Sequence, residues 1–142
     1  MEIIELSSPD YDRIIELWER SGLAFRPQGR DSLQAFKAQL ESGVQYVLGA
    51  VIDDRLVGVV LVTHDSRKGW INRLAVDPDF RRQGIGTDLI VAAEDRLQQA
   101  GIDIIAALVL EPNLVSQAVM ENAGYVVDKK VLYFSKRKNS GS

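Results

Sequence analysis

Apolar residues recur along this chain at two spacings, and the changes between them divide it into elements. Glu2 to Leu6 alternates weakly and suits a short strand. Ser7-Ser8-Pro9-Asp10 then reads as a helix start, with a hydroxyl cap, a proline in the first turn and an acid near the positive end. Ile14, Leu17 and Trp18 carry helical spacing, and Ser21-Gly22 stops it. Phe25 to Arg30 reads as a loop. Asp31 with Gln34 resembles a capping pair for a second helix, with Leu33, Phe36 and Leu40 on its apolar face and Gly43 closing it. Val44–Ile52 and Leu56–Thr63 are β-branched runs around Asp53-Asp54-Arg55, the pattern of an antiparallel hairpin. The second run barely alternates, so both of its faces are expected to be covered.

After a turn at Asp65 to Gly69, Trp70–Val76 reads as the next strand, followed by Asp77-Pro78. Gly84 to Ala100 is the strongest helix: Ile85, Leu89, Ala93 and Leu97 form its stripe, and Gly101 follows as the stop. Ile104–Leu110 is an all-apolar strand, Pro112–Asn122 a short helix ended by Gly124, and Tyr125–Ser135 a last strand. The order β-α-α-β-β-β-α-β-α-β predicts an α/β (α+β) fold. Its central sheet is mixed and mostly antiparallel, with helices on both faces. Residues 1–136 are expected to form one domain, and 137–142 a flexible, basic and polar tail.

Composition narrows the chemistry. The 142 residues suffice for one core without staples. The absence of cysteine excludes a disulfide framework, a Cys-rich zinc site and a thiol nucleophile, and one histidine excludes a poly-His metal site. A net charge of −3 sets up no global basic field, which argues against nucleic acid as partner. No apolar stretch approaches the roughly 18 residues of a membrane span. The acidic opening MEIIELSSPD lacks the basic start of a secretion signal, so a cytoplasmic location is expected.

The segment with chemical content runs from Leu74 to Thr87: a strand, a turn, the pair Arg81-Arg82, Gln83, and Gly84-Ile85-Gly86-Thr87 opening the strong helix. Free N–H groups and the dipole at a helix start attract an anion, and the arginines add charge-assisted donors. Glycines let backbone approach a phosphate closely and adopt positive φ. The spread of donors suits two linked phosphates better than one. The phosphate-loop lysine is missing, and so is the third glycine of the dinucleotide fingerprint. These residues alone do not say which diphosphate ligand binds.

Arg81-x-x-Gly84-x-Gly86 after a Leu74-Ala75-Val76 strand is similar to the acyl-CoA signature of the GNAT superfamily of N-acetyltransferases. Trp70 to Val76 looks like that fold's fourth strand. Asn113, Ser116 and Gly124-Tyr125 look like its later motif, and the resemblance covers nearly the whole chain. It implies acetyl-CoA as acyl donor and no metal. The fourth and fifth strands would splay around the pantetheine arm, which the backbone of Leu74, Ala75 and Val76 would accompany. The N–H groups of Arg82 to Thr87, Ile85 included, would hold the pyrophosphate, and Asn113 with Ser116 would face the distal arm.

The acceptor would be an amine of a small molecule or peptide, attacking the thioester directly, in a protein that is a monomer or homodimer. Phe25, Arg26, Trp70 and Asn72 are candidates on the acceptor side, and Arg26 would suit a substrate carboxylate.

One departure stands out. The family's usual tyrosine acid, seven residues after the asparagine, is replaced by Met120, whose thioether donates no proton. Either water or another group protonates the leaving thiolate, or the domain is an acyl-CoA-binding sensor with little catalysis. Glu111, at the mouth of the fifth strand, is the candidate base; Asp65 and His64 are weaker.

Overall fold

The computed structural model describes residues 1–142. Its elements are β1 (Glu2–Glu5), α1 (Tyr11–Ser21), α2 (Leu33–Glu41), β2 (Gln45–Ile52), β3 (Arg55–His64), β4 (Lys68–Ile71), β5 (Ala75–Val76), α3 (Ile85–Gln99), β6 (Ile104–Ala107) and α4 (Leu114–Asn122). Single helical turns at Ser8–Asp10 and Pro78–Phe80 precede α1 and α3.

One sheet runs in the order β1-β2-β3-β4-β6, with β5 also paired to β3. All pairings are antiparallel except β4 with β6. The β2–β3 hairpin is the spine. Asp53 and Asp54 both have positive φ, 50° and 64°, as a two-residue turn matched to strand twist requires. Asp and Asn tolerate that region better than other side chains.

The two faces of the sheet bury separate cores, which is why β3 is apolar on both sides. On one face Ile14, Leu17 and Trp18 of α1 and Phe36 of α2 pack on Val47, Leu56, Val59 and Ala75. On the other, Ile85, Leu89, Ile90, Ala93 and Leu97 of α3 pack with Met120 of α4 on Leu48, Val57, Val60, Val62 and Ile71. The four-residue stripe of α3 is the buried stripe. Gly58 lets α3 lie close on β3: a Cβ there would come within 2.9 Å of Ile85 and Leu89. No helix is long and apolar enough to cross a membrane.

Several elements differ from the expected pattern. The N-cap of α2 is Ser32, whose Oγ accepts from the Ala35 N–H at 3.1 Å; Asp31 is buried and otherwise engaged. The strand expected over Trp70–Val76 breaks into β4 and β5. Between Ile71 opposite Val62 and Ala75 opposite Val59 there are four steps on one strand against three on the other. That extra residue is a bulge, and bulges bend a strand and end its regular pairing. Only the first half of the apolar run Ile104–Leu110 pairs, because past the bulge its neighbour has turned away.

The strand expected over Tyr125–Ser135 is not formed: residues 126–138 donate and accept no backbone–backbone hydrogen bond. Their β-branched and aromatic content suits a strand, yet a strand exists only where a partner edge meets it. Two of the last residues lie against the α1–α2 loop. The Arg26 guanidinium donates to the Ser140 carbonyl, and the Arg30 N–H to that of Gly141 at 3.2 Å.

Candidate functional site

The bulge at Asn72-Arg73-Leu74 opens the sheet. Strands β4 and β6 run in register from Lys68 beside Ile104 to Ile71 beside Ala107. Beyond that point Ala75–Val76 pairs with β3 alone, and Leu108–Leu110 with no strand. A cleft therefore begins between Leu74–Val76 on one side and Leu108–Glu111 on the other. The edge of β5 that faces the cleft is free of strand partners.

The turn leading from β5 into α3 is anchored by Asp77, which is 1% exposed. Its Oδ1 accepts from the Asp79 N–H at 3.0 Å. Its Oδ2 accepts from Arg55 at 2.9 Å and from Arg20 at 3.2 Å. Burial alone would raise this carboxyl's pKa; the Asp79 N–H and the two guanidinium groups outweigh it and hold it below the usual range. Arg55 also lies over the Phe80 ring, 5.3 Å from its centre. This one side chain thus ties the turn to α1 through Arg20 and to β3 through Arg55.

The chain then passes through two left-handed residues, Arg82 at φ +66° and Gly84 at φ +82°, before entering α3 at Ile85. No side chain caps the helix. The backbone N–H groups of Arg82 to Thr87 donate to no acceptor in the chain, and Asp88 is the first to bond back, to the Gly84 carbonyl. Alternating left-handed and ordinary residues with convergent N–H groups form an anion-binding concavity, and the α3 dipole adds to it. Arg82 is exposed and makes no ion pair.

Arg81 is turned back: its Nε donates to the Val76 carbonyl at 3.3 Å and its Nη2 to Ser21 at 3.4 Å. The two glycines differ. Gly84 is needed for its positive φ and has open space around it. A Cβ on Gly86 would meet Val119 at 3.4 Å and Leu74 at 3.8 Å, ordinary packing distances, so within the folded chain neither backbone conformation nor space demands a glycine there.

Across the cleft, Glu111 and Asn113 are exposed just after the unpaired end of the apolar run. Asn113 caps α4, its Oδ1 accepting from the Ser116 N–H at 3.1 Å, which leaves its amide nitrogen and the Ser116 hydroxyl unengaged. Met120 is buried in the core between α3 and the sheet. Tyr125 is half-buried and donates to Glu94 at 2.8 Å; burial first, then this carboxylate, push its phenol pKa well up.

Of the residues expected on the acceptor side, Phe25 packs on Trp18, with ring centres 6.0 Å apart, and Arg73 covers the same Trp18 ring at 4.9 Å. Arg73 also reaches Asp31 at 2.6 Å, and Asp31 accepts the Arg26 N–H. The α1–α2 loop is thereby fastened to the bulge. Burial and the neighbouring Arg73 lower the pKa of Arg30 in that loop. Trp70 lies under the Lys68 ammonium at 4.8 Å, and the Asn72 amide is bonded to Thr63.

The weaker base candidates belong to other tasks. Asp65 sits in the β3–β4 turn, at the end of β4 away from the cleft. There the Lys68 and Arg67 N–H groups hold its carboxyl pKa low. His64 bonds Tyr46 and the Ser66 N–H.

Asp31, Arg73, Asp77, Arg20 and Arg55 are absent from the sequence-derived set. Only Asp77 had a local signal, an acid one position before a proline-opened turn; the others meet across the fold. A surface hollow lined by Glu5, Leu40, Tyr46 and Arg96 is separate from the cleft. No group of three His, Cys, Asp or Glu side chains is placed to hold a metal ion.

The model of the acetyltransferase (GNAT) family matches residues 11–125. Among solved structures, the PaiA N-acetyltransferase of Thermoplasma acidophilum in complex with coenzyme A is similar, with a TM-score of 0.78 and 23% identity over 89% of this chain and 90% of that one. An aminoglycoside antibiotic 6′-N-acetyltransferase of Acinetobacter haemolyticus gives 0.78 and 24%, over 98% and 100% of the two chains. A ribosomal-protein-alanine N-acetyltransferase of Brucella melitensis gives 0.76 and 19%, over 96% and 99%. At these identities the likeness speaks for the fold.

Proposed function

The chain belongs to the acetyltransferase (GNAT) family and is an acetyl-CoA-dependent N-acetyltransferase; from that premise we propose that its acceptor is a primary amine that attacks the thioester directly in the cleft beside the β4–β5 bulge. The observation that carries this reading is the run of unsatisfied N–H groups from Arg82 to Thr87 at the start of α3, next to a cleft between two parting strands. These donors, with the Arg82 guanidinium, suit a diphosphate. The free edge of Leu74, Ala75 and Val76 suits an amide-bearing arm laid along it as an extra strand. The amide nitrogen of Asn113 and the hydroxyl of Ser116 remain available to its far end.

Bound acetyl-CoA supplies an activated acetyl carbon on a sulfur leaving group, and the chain's residues orient it and manage protons. An amine must lose a proton to attack, and we assign that proton to Glu111, an exposed carboxylate at the cleft mouth, directly or through water. No acid is supplied by Met120, which is core. A thiol titrates near 8.5, so its anion leaves tolerably at neutral pH with water as proton donor. Phe25, Arg26, Trp70 and Asn72 are assigned to the acceptor side, with Asp31 and Arg73 holding the loop in place. The acceptor itself is a small molecule or a peptide amine. Relatives of this fold named for aminoglycosides and for a ribosomal protein span both kinds.

Thiol release from acetyl-CoA across a panel of amines tests the reading, and a chain without cysteine adds no background thiol. The expected result is release with at least one class of primary amine. Cofactor binding without release across a broad panel refutes a primary-amine acceptor. Thermal melts with coenzyme A, ADP and NAD test the anion site: a ligand at a hundred times its Kd adds about 2.7 kcal/mol. A coenzyme A shift that survives replacing Gly84 and Gly86 by valine refutes the site.

A further inference from the structure

The side of the cleft assigned to the acceptor carries more positive charge than the chain itself balances. Three guanidinium groups act on one another there: Arg26 and Arg30 on the α1–α2 loop, and Arg73 in the bulge that opens the cleft. One carboxylate serves them. Asp31 receives Arg73 on one oxygen at 2.6 Å, and the Arg30 Nε stands 3.8 Å from the other, which also accepts the Arg26 N–H. Asp31 is 9% exposed, and both of its oxygens are engaged. Two of the three positive charges are left without a counter-charge. Arg26 makes no ion pair and spends one nitrogen on the Ser140 carbonyl. The Arg30 side chain makes no hydrogen bond beyond its distant approach to Asp31.

The loop that presents these groups is preformed. The Arg26 carbonyl accepts the Gly29 N–H at 3.1 Å and the Asp31 N–H at 3.0 Å, and the Ser32 N–H bonds back to Gly29 at 3.1 Å. Gln39 of α2 donates to the Arg30 carbonyl at 2.9 Å, and the Tyr11 hydroxyl of α1 to the Asp31 carbonyl at 2.6 Å. Two helices and the bulge therefore hold the loop backbone before any ligand arrives. A ligand then has little backbone left to order, which is the larger part of the cost of binding to a loop.

Like charges gathered in this way repel. Burial first, then the guanidinium groups of Arg73, Arg26 and Arg137, pull the Arg30 pKa below its ordinary value, against the single opposing pull of Asp31. An oxyanion entering among them offsets the repulsion and takes up the idle donors. Guanidinium groups bind carboxylate and phosphate through paired, charge-assisted hydrogen bonds. A further cation brought to the same place meets the repulsion unrelieved, so the surplus selects against polyamines as it selects for anions.

From these observations we infer that the acceptor is an amine that also carries an oxyanion, a carboxylate or a phosphate. Arg30 and Arg26 bind that group, and the Asp31–Arg73 pair positions the loop against the bulge. The inference rests on the amine acceptor proposed above and narrows it to a class of charge.

Thiol release with matched acceptors tests it: leucine against leucinamide, γ-aminobutyrate against butylamine, phosphoethanolamine against ethanolamine, and spermidine alone. The anionic member of at least one pair is expected to exceed its neutral partner about 10–100-fold in kcat/KM, mostly through KM, and to lose part of that advantage in high salt. The pair that shows it identifies the oxyanion. Leucinamide is the less basic amine and holds more free base at neutral pH, so a preference for leucine runs against intrinsic reactivity. Arg26→Gln and Arg30→Gln are expected to bring the ratio towards one, and Arg30→Glu to turn it in favour of the neutral member. The Arg30 side chain is 45% exposed, so its variants keep the circular dichroism spectrum and the melting shift with coenzyme A.

Calorimetric titration of the same amines into the coenzyme A complex reads binding without turnover. The anionic members are expected to bind, and Arg30→Glu to abolish it. Neutral amines or spermidine turned over as well as the anionic ones overturn the inference and leave an amine acceptor standing. An anionic preference that survives both Arg26→Gln and Arg30→Glu overturns it too. Binding of the anionic members through Arg30 with no turnover of any amine supports the oxyanion site and refutes the amine acceptor; neither binding nor turnover overturns both.

Discussion

Replacing Asp77 by alanine removes the one carboxylate that fastens the turn proposed to bind the diphosphate to the rest of the fold. The side chain is 1% exposed and fills three roles: cap for the Asp79 N–H at 3.0 Å, and partner of Arg55 at 2.9 Å and Arg20 at 3.2 Å. Loss of a cap costs about 1 kcal/mol. The two guanidinium groups are 50% and 37% exposed, so solvent screens each pair to at most about 1 kcal/mol. Asp77→Ala is therefore expected to destabilise by about 2–3 kcal/mol. Asp77→Asn keeps an acceptor for the cap and is expected to lose only the ionic part, about 1–2 kcal/mol.

The pH dependence has a definite sign. The folded pKa is depressed below the ordinary value near 3.9, so the ionic stabilisation is complete above that value and disappears as pH falls through the lower folded pKa. Urea unfolding followed by circular dichroism at pH 7 and at stepwise lower pH measures both. The natural chain and Asp77→Asn converge in acid, while Asp77→Ala stays below them by the cap contribution. In the acetyl transfer assay both variants raise KM for acetyl-CoA more than they lower kcat, because the turn that presents the Arg82–Thr87 N–H groups is loosened and not the reacting centre. An Asp77→Ala chain within about 0.5 kcal/mol of the natural one at pH 7, or a gap between Asp77→Asn and the natural chain that widens in acid, refutes the reasoning.

Three further outcomes are expected. Gly84→Ala places a Cβ on a residue at φ +82° with open space around it, so the loss is backbone strain of about 1–2 kcal/mol, and Gly84→Asn, which tolerates that region, loses less; thermal melts rank them. Met120→Leu, a near-isosteric change in the core, costs less than about 1.5 kcal/mol and leaves kcat unchanged; a tenfold fall in kcat would give the thioether a role in the chemistry. Glu111→Gln lowers kcat by about 10²–10⁴-fold and flattens the acid limb of the pH–rate profile if this carboxylate takes the amine proton, and an unaltered profile assigns that task elsewhere.

Local features of the chain were enough to read most of its elements. The stripe Ile85, Leu89, Ala93, Leu97 identifies the buried face of α3 because helical spacing alone decides which residues share a face. Asp53-Asp54 identifies the hairpin because only a short polar turn joins two β-branched runs at that distance. The glycine at position 84 was legible as a positive-φ residue opening a helix, and that is where it lies. Gly86 was legible as small but not as a neighbour of Val119 and Leu74, which reach it from other elements. Asp31 looked like a helix cap from its spacing to Gln34. Its burial against Arg73, 42 positions away, takes that task from it and leaves the cap to Ser32.

The same division holds for the chemistry. The order of residues from Leu74 to Thr87 determines a strand, a basic turn and a helix start, because those depend on φ preferences, caps and periodicity within a few residues. With the absence of cysteine it also determines that no acyl-cysteine intermediate forms. What the tertiary structure decided is where donors and walls end up. Arg81 is spent on the carbonyls of Val76 and Ser21 while Arg82 stays free, one extra residue at the bulge opens the sheet, and Asp77 gathers Arg20 and Arg55 from two other elements. The final apolar run has every local mark of a strand and yet pairs with nothing in its own chain. Pairing is a long-range property: propensity selects which segments can be strands, and only the folded arrangement of edges decides which of them find a partner.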